Sequence, residues 1–297
     1  PLRQELEEII CEPKAYLNEL MMDENSGLPS VKEVFDTTPY TILVVDDNPD
    51  MTDFLKRTFE GYFKRIIIAG DGVEALQLVR SHVPDIIVSD VMMPRMNGYE
   101  LCKTIKEDIA ISHIPVILLT AKDDKQSLIS GYKNGADGYL SKPFEVEMLM
   151  ELIRNRLKNR EYTKKRYLNA GLIPTPEEST ISLTDETFLI KLNSIIQENI
   201  DNTNLGIQFI CQEVGLGRSS LYNKLKALTG MGANEYISKL RIEKAITLIS
   251  GTDMPFSEIA EKTGFTTPSY FSTTFKQYTG ETPSQYKERK KKGLTDQ

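Results

Sequence analysis

The sequence predicts two domains of different class: a doubly wound α/β domain around a five-stranded parallel sheet, then an all-α domain with two helix-turn-helix units. Two patterns carry this. From Tyr40 to about Arg160, short β-branched runs alternate with segments of helical period, giving five strand–helix units. From about residue 186 every segment has helical period, and two stretches there, 206–230 and 255–280, share one layout. A chain of 297 residues has room for two such domains.

In order along the chain, residues 1–22 have Leu2, Leu6, Ile9 and Ile10 at helical spacing, and 23–39 are turn-rich, so 1–39 read as a helical segment and linker. TILVVD (41–46) is a continuous β-branched run, as a strand buried on both faces requires. A helix at about 50–60 follows, then strand KRIIIA (64–69), helix VEALQLVRS (73–81), strand DIIVSD (85–90) and helix GYELCKTIKE (98–107). Strand PVILLT (115–120), helix 124–135, short strand GYL (138–140) and helix 144–157 complete the first domain, placed at 40–160. The last helix has a charged continuation through 158–169, and GLIPTPEEST (171–180) reads as a flexible link, so 161–185 are assigned to a linker. The helical domain is placed at 186–290, with a basic tail (KERKKKG, then 291–297) behind it, either a phosphate contact or a disordered end.

Composition narrows the class. No apolar run approaches the roughly 18 residues of a membrane span, and Cys11, Cys102 and Cys211 match no zinc or redox spacing. Packing is their expected role, and a cytoplasmic location without membrane contact is expected. Net charge is −7. Residues 1–40 carry 3 basic and 9 acidic groups, whereas 181–297 carry 14 and 13, so the helical half binds nucleic acid only if its cations share a face. His82 and His113 stand in linkers beside Pro84 and Pro115 and form no catalytic triad, so no enzymatic role on small substrates is expected.

In parallel α/β sheets, ligands sit beyond the C-terminal strand ends. Asp46 and Asp47 end the first predicted strand, Asp90 the third and Thr120 the fourth, while Lys142 follows the fifth just ahead of Pro143. Three carboxylates converging in one crevice raise each other's pKa, a cost that a bound divalent cation removes. Oxygen ligands and few protein groups favour Mg2+. Lys142 would supply a fixed point charge. The reaction that suits such a set is phosphoryl transfer to a carboxylate. A strand-end aspartate taken alone is more often a cap or turn former.

LVVDDN (43–48), IIVSDVMMPRMNGYEL (86–101), VILLTA (116–121) and GYLSKPF (138–144) together resemble the CheY-like receiver domain of two-component response regulators, with Asp46, Asp90, Thr120 and Lys142 in the family's order and separations. The resemblance implies that Asp90 is the phosphoacceptor. It implies that Asp46, Asp47, Asp90 and the Met92 carbonyl hold Mg2+, that Lys142 pairs with the phosphoryl group and that Thr120 donates its hydroxyl to it. Tyr139 stands at the aromatic switch position and is implied to turn inward as Thr120 moves; a half-buried strand aromatic is the alternative. Gly98 permits the turn before its helix, and the bond before Pro143 is expected to be cis. Met92 and Lys122 occupy the positions that tune phosphoryl lifetime.

In the helical half, Leu221, Leu225 and Leu228 take core spacing in the first unit, leaving Arg218, Ser219, Tyr222, Asn223 and Lys226 outward. In the second, Phe271 and Phe275 point inward with Tyr278 continuing the stripe, and Ser269, Ser272, Thr273 and Lys276 point outward. Asn and Arg read adenine and guanine edges, Ser and Thr read less specifically, and Lys neutralises phosphate. Two recognition helices one turn apart suit double-stranded DNA; for any one residue a solvated helix face is the alternative. Residues 188–290 resemble the AraC/XylS-type DNA-binding domain, chiefly through 246–287 with Gly264, Phe265, Phe271, Phe275, Gly280, Pro283 and Tyr286, and through 234–249 as the joining helix. Gly217 replaces a common Ser cap, Gly232-Ala233 replaces a common Ser-Pro, and the second face lacks the Arg often found there.

The two resemblances together imply a phosphorylation-dependent transcriptional regulator that takes its phosphoryl group from a histidine kinase and, when phosphorylated, dimerises or changes its domain packing so as to free the helical domain. The start at Pro1 and the acidic segment 1–39 fit a stretch joining a kinase core to its receiver, so a hybrid histidine kinase anchored in the inner membrane is one expected parent. A phosphorelay receiver and a phosphorylation-independent DNA-binding dimer are the alternatives. Met92 is apolar and cannot orient an attacking water, so the aspartyl phosphate at Asp90 is expected to be long-lived; following its decay after rapid removal of phosphodonor tests this, and a half-life of seconds refutes it.

Overall fold

The computed structural model describes residues 35–121, 135–169 and 182–293. The expected helix at 1–22, residues 23–34 of the linker placed at 23–39, residues 124–134 of the expected helix 124–135, the link at 171–180, Lys122 and Cys11 lie outside the described residues.

The first domain is a parallel sheet of order β2-β1-β3-β4-β5, with β1 Thr41–Val45, β2 Arg65–Ala69, β3 Ile86–Asp90, β4 Val116–Ala121 and β5 Gly138–Lys142. Helices α1 Pro49–Phe59, α2 Gly72–His82, α3 Gly98–Glu107 and α4 Val146–Asn169 connect and extend it. The β-branched runs of β1, β3 and β4 are central and carry the core, with Ile42, Leu43, Val44, Ile86, Ile87, Val88, Val116, Ile117 and Leu118 fully buried. Each such side chain contributes roughly 1.5–3 kcal/mol.

Each of the first three helices starts on a side-chain cap. Asn48 Oδ1 accepts from Asp50 N at 2.9 Å, Asp71 Oδ1 from Val73 N at 2.8 Å, and Asn97 and Glu100 form a reciprocal capping box. His82 is the last residue of α2 rather than part of a linker, and its C-cap Val83 takes the left-handed conformation at φ 46°.

Helix α4 runs unbroken to Asn169 through the charged continuation expected at 158–169, so the first part of the segment assigned to a linker, 161–169, is helical. The helical domain comprises α5 Leu183–Glu198, α6 Ile207–Val214, α7 Arg218–Thr229, α8 Ala233–Gly251, α9 Phe256–Lys262, α10 Pro268–Thr279 and α11 Pro283–Gly293. The KERKKKG stretch continues α11 as helix up to Gly293.

The repeat seen in the sequence is a repeat of structure. Helices α6 and α7 turn through Gly215 (φ 73°), and α9 and α10 through Gly264 (φ 71°). Both glycines are left-handed, which side chains disfavour. Helix α8 joins two separate apolar cores. Its first half, with Tyr236, Ile237 and Leu240, packs with α5–α7 and Tyr167 of α4, and its second half, with Ile242, Ala245 and Ile249, packs with α9–α11. The second core is aromatic: Phe271 lies 5.3 Å from Phe265 and 5.7 Å from Phe275, which lies 5.6 Å from Tyr286, mostly edge to face. Each such pair adds about 0.5–1.5 kcal/mol beyond its burial. Among the described residues no helix is long and apolar enough to cross a membrane.

Gly98 opens α3 directly behind the end of β3, and a Cβ there would lie 2.2 Å from the Asp90 carbonyl oxygen. Backbone cannot yield as a flexible side chain does, so Gly98→Ala is expected to destabilise the fold by about 1–3 kcal/mol, read as a lower urea midpoint; an unchanged midpoint refutes the close packing.

Candidate functional site

The parallel register assembles the acidic crevice. Val45 stands opposite Ser89, so Asp46 and Asp90 leave the sheet side by side as the next residues of neighbouring strands. On the other side of β3, Asp90 is opposite Leu119, which precedes Thr120, and β5 brings Lys142 opposite Ala121. Groups up to 96 positions apart in sequence thereby meet.

Asp46 and Asp90 are buried, 3% and 8% exposed. The Lys142 ammonium bridges them, donating to Asp46 Oδ2 at 2.9 Å and to Asp90 Oδ1 at 2.5 Å. The remaining carboxylate oxygens accept from backbone: Asp46 Oδ1 from Asn48 N at 2.9 Å, and Asp90 Oδ2 from Met92 N at 2.8 Å. Partial burial alone would lower the Lys142 pKa, but the hydrogen bonds and opposite charge of Asp90 and Asp46 outweigh it and hold the pKa above the ordinary lysine value.

Asp47 is exposed at the rim, and among the described residues no group of three or more carboxylate, imidazole or thiol side chains is gathered tightly enough to hold a metal ion. The expected convergence of three carboxylates is therefore a correction: two are paired through the Lys142 cation, which supplies the charge compensation assigned to a metal, and the third stays solvated. The donor chemistry still fits a hard cation. All candidate ligands are oxygens, and each carboxylate oxygen that accepts one hydrogen bond keeps a further lone pair.

Thr120 is buried at the end of β4. Tyr139 pairs with Leu118 in the sheet and is half-buried against the core beneath β3 and β4. The Lys142–Pro143 bond is cis. Met92 is 74% exposed. Arg95, in the loop between Asp90 and α3, holds the left-handed φ of 65°, and its guanidinium pairs with the buried Asp71. Sequence reasoning missed this pair because nothing in the local spacing relates the two residues.

The helical half presents its reading faces largely as expected. Arg218, Ser219, Tyr222 and Lys226 on α7 are exposed, as are Ser269, Thr273 and Lys276 on α10, while Asn223 and Ser272 are half-buried. Tyr278 does not continue the inward stripe. It is 38% exposed, and its hydroxyl donates to the Glu235 carbonyl at 2.9 Å, because the aromatic core ends a turn earlier. Lys224 went unassigned in the sequence and is fully buried. Its signal was visible: it sits three residues after Leu221 and four before Leu228, on the inner stripe of the helix. Cys102 is buried, which raises its thiol pKa to about 12 with help from Asp137 and against Lys106, as suits a packing role.

Residues 42–154 match the family described as the response regulator receiver domain, and residues 210–289 match a helix-turn-helix domain. A protein of Formosa agariphila named as a histidine kinase is 41% identical over 249 residues, which is 84% of this chain and 18% of that protein. The DNA-binding response regulator MtrA of Mycolicibacterium smegmatis is 37% identical over 136 residues, 46% of this chain and 58% of that protein. The response regulator MprA of a Mycobacterium species is 36% identical over 165 residues, 51% of this chain and 70% of that protein. The chain thus spans under a fifth of the length of the kinase and a little over half that of MtrA.

A lysine whose folded pKa is raised contributes stability that is full below the unfolded value and is lost as pH rises through the folded one. The urea-stability gap between wild type and Lys142→Gln is therefore expected to be constant from neutral pH up to about the ordinary lysine value of 10.5 and to close above it. A gap that already closes below pH 9 refutes the bridging ammonium.

Proposed function

The chain belongs to the response regulators and joins a receiver to an AraC-type helix-turn-helix domain, and on that footing we propose that it is a transcription factor whose DNA binding is set by phosphorylation of Asp90. The observation that carries this reading is the Lys142 bridge to Asp46 and Asp90, a buried acidic pair held by one cation beside Thr120.

A carboxylate oxygen of Asp90 attacks the phosphorus of a kinase phosphohistidine. The phosphorus–nitrogen bond breaks with its electron pair going to the imidazole, and an acyl phosphate remains on Asp90. Mg2+ would be held by Asp46, Asp47, Asp90 and the Met92 carbonyl, and when bound it neutralises charge on the transferring group. Lys142 gives up its carboxylate oxygen of Asp90 and pairs with a phosphoryl oxygen, and the Thr120 hydroxyl donates to another. Tyr139 then packs deeper, reshaping the surface beside β5 and α4. That surface is where a second copy would dimerise.

Arg218, Ser219, Tyr222, Asn223, Ser269, Ser272 and Thr273 are proposed to face base edges of double-stranded DNA, and Lys226 and Lys276 its phosphates. The extensive similarity to a histidine kinase supports placing this segment within a hybrid kinase that acts on the cytoplasmic side.

The test is DNA binding of the whole chain to the sequence upstream of its neighbouring genes, with and without Mg2+ and acetyl phosphate, and with Asp90→Ala. Phosphodonor is expected to tighten specific binding at least tenfold, and Asp90→Ala to remove the gain. Equal affinity in every condition leaves a phosphorylation-independent DNA-binding protein. Phosphorylation of Asp90 without any specific DNA binding leaves a phosphorelay receiver.

A further inference from the structure

Gly215 and Gly264 hold the same place in the two helix-turn-helix units, with left-handed φ of 73° and 71°, yet their surroundings differ. A Cβ on Gly215 would meet nothing within 4 Å. One on Gly264 would lie 2.3 Å from the Ile200 carbonyl oxygen and 2.7 Å from Arg241 Nη2. Turn geometry accounts for the first glycine. The second is also where the turn of the second unit touches the backbone of the first, in the segment 199–206 between α5 and α6.

Arg241, in the middle of α8, fills that junction. Its Nη2 donates to the Asn202 carbonyl at 2.7 Å, and the same oxygen accepts from Leu205 N at 3.0 Å. Leu205 belongs to the first apolar core, and Phe265, next to Gly264, belongs to the second. The guanidinium thus stands between a segment anchored in one core and a turn anchored in the other. Its Nε is buried without a hydrogen-bond partner among the described residues, and burial pulls its pKa below the ordinary arginine value. An unpaired buried donor costs stability, so Arg241 is a poor stabiliser of either unit; what it fixes is the distance between them.

A second tie lies farther along α8. The Tyr278 hydroxyl, near the end of α10, donates to the Glu235 carbonyl in the first turn of α8 at 2.9 Å. Glu235 Oε2 in turn accepts from Gly232 N at 2.8 Å, and a Cβ on Gly232 would touch the Tyr222 ring of α7 at 3.7 Å. The end of the second recognition helix is thereby two links from the outer face of the first. Arg241 and Glu235 lie about 9 Å apart along the helix. The second unit is therefore held to the first at two separate points, which restrains rotation about α8 as well as bending of it.

We propose that Arg241, Gly264 and Tyr278 form a brace that fixes the spacing and angle of α7 and α10, and that this brace makes the protein select double-stranded DNA by the separation of its two half-sites. The proposal rests on the reading of the helical half as a DNA-binding domain and is independent of phosphorylation at Asp90. All three are positioning residues, outside the reading faces. One base pair inserted between the half-sites moves one of them by about 3.4 Å and by roughly a tenth of a turn, a displacement that braced helices cannot follow.

The probe is a duplex selected from random sequence for tight binding to the full chain, its half-sites located by footprinting, and the same duplex with one base pair inserted or deleted between them. Wild type is expected to lose about thirtyfold in affinity on either change, and Arg241→Met with Tyr278→Phe only about threefold, while binding of the unaltered duplex weakens by less than about tenfold. Gly264→Asn and Gly215→Asn put one side chain at one left-handed φ, which asparagine tolerates; only the first wedges the units apart, so only it is expected to change the preferred separation. Independently of DNA, spin labels at Glu213→Cys on α6 and Ser257→Cys on α9, both exposed, in a chain carrying Cys11→Ser and Cys211→Ser, report the distance between the units. Arg241→Met with Tyr278→Phe is expected to broaden that distance distribution without loss of the cooperative melting curve. Equal losses in variant and wild type on the altered duplexes, or a variant distribution as narrow as that of wild type, overturn the brace. If no duplex is selected, the DNA-binding reading falls, and the distance distribution alone decides whether the brace stands.

Discussion

Two buried carboxylates cannot share one crevice without a compensating cation, and the Lys142 ammonium between Asp46 and Asp90 meets that requirement. The receiver's architecture serves this contact. The order β2-β1-β3-β4-β5 puts the ends of β1 and β3 next to each other and places β5 on the β3 side with only β4 between, close enough for the long Lys142 side chain to reach both carboxylates. The apolar strands bury the sheet on both faces, so the polar groups can gather only at its C-terminal edge. The Asn48 and Met92 amides complete the shell, because a buried carboxylate oxygen without a donor is costly. A crevice in which one ammonium serves two carboxylates is sensitive to any added charge: a phosphoryl group on Asp90 would remove one partner of Lys142 and offer another.

The helical half solves a different problem. Each helix-turn-helix unit is too small to bury its apolar stripe alone, and α8 lends one half of itself to each core. The two units differ in how they are filled. The first is mostly aliphatic, with Phe188 and Tyr236, and also takes in Tyr167 from the end of α4, which ties it to the receiver's last helix. The second is an edge-to-face aromatic cluster built within its own helices and the end of α8. The asymmetry explains why receiver contacts reach α7.

The polar contacts that Ser112 makes across the halves end on an ion pair, Lys224 with Asp185, lying wholly within the helical domain. A buried lysine–aspartate pair that is already satisfied within one domain adds little attraction to the other, so the interface relies on Ser112 and the surrounding apolar groups. The same chemistry that makes Lys142 a good bridge at the open crevice makes Lys224 a weak clasp in the closed interface; the difference is access to water.

Much of this protein was legible in its sequence, since the informative patterns are local. Strand period and β-branched runs gave all five strands to within a residue or two. Glycine spacing and leucine or phenylalanine stripes gave both helix-turn-helix units, and strand-end aspartates marked the crevice. What the sequence could not supply was decided by packing between distant segments. It cannot say that Lys142 would occupy the space between two carboxylates and leave Asp47 outside, or that Tyr278 would turn to Glu235. Lys224 shows the limit most clearly. Its inward position could be read from helical period, but its partners lie 39 and 112 residues away, and only the tertiary fold, by excluding water from all three groups at once, makes them a unit.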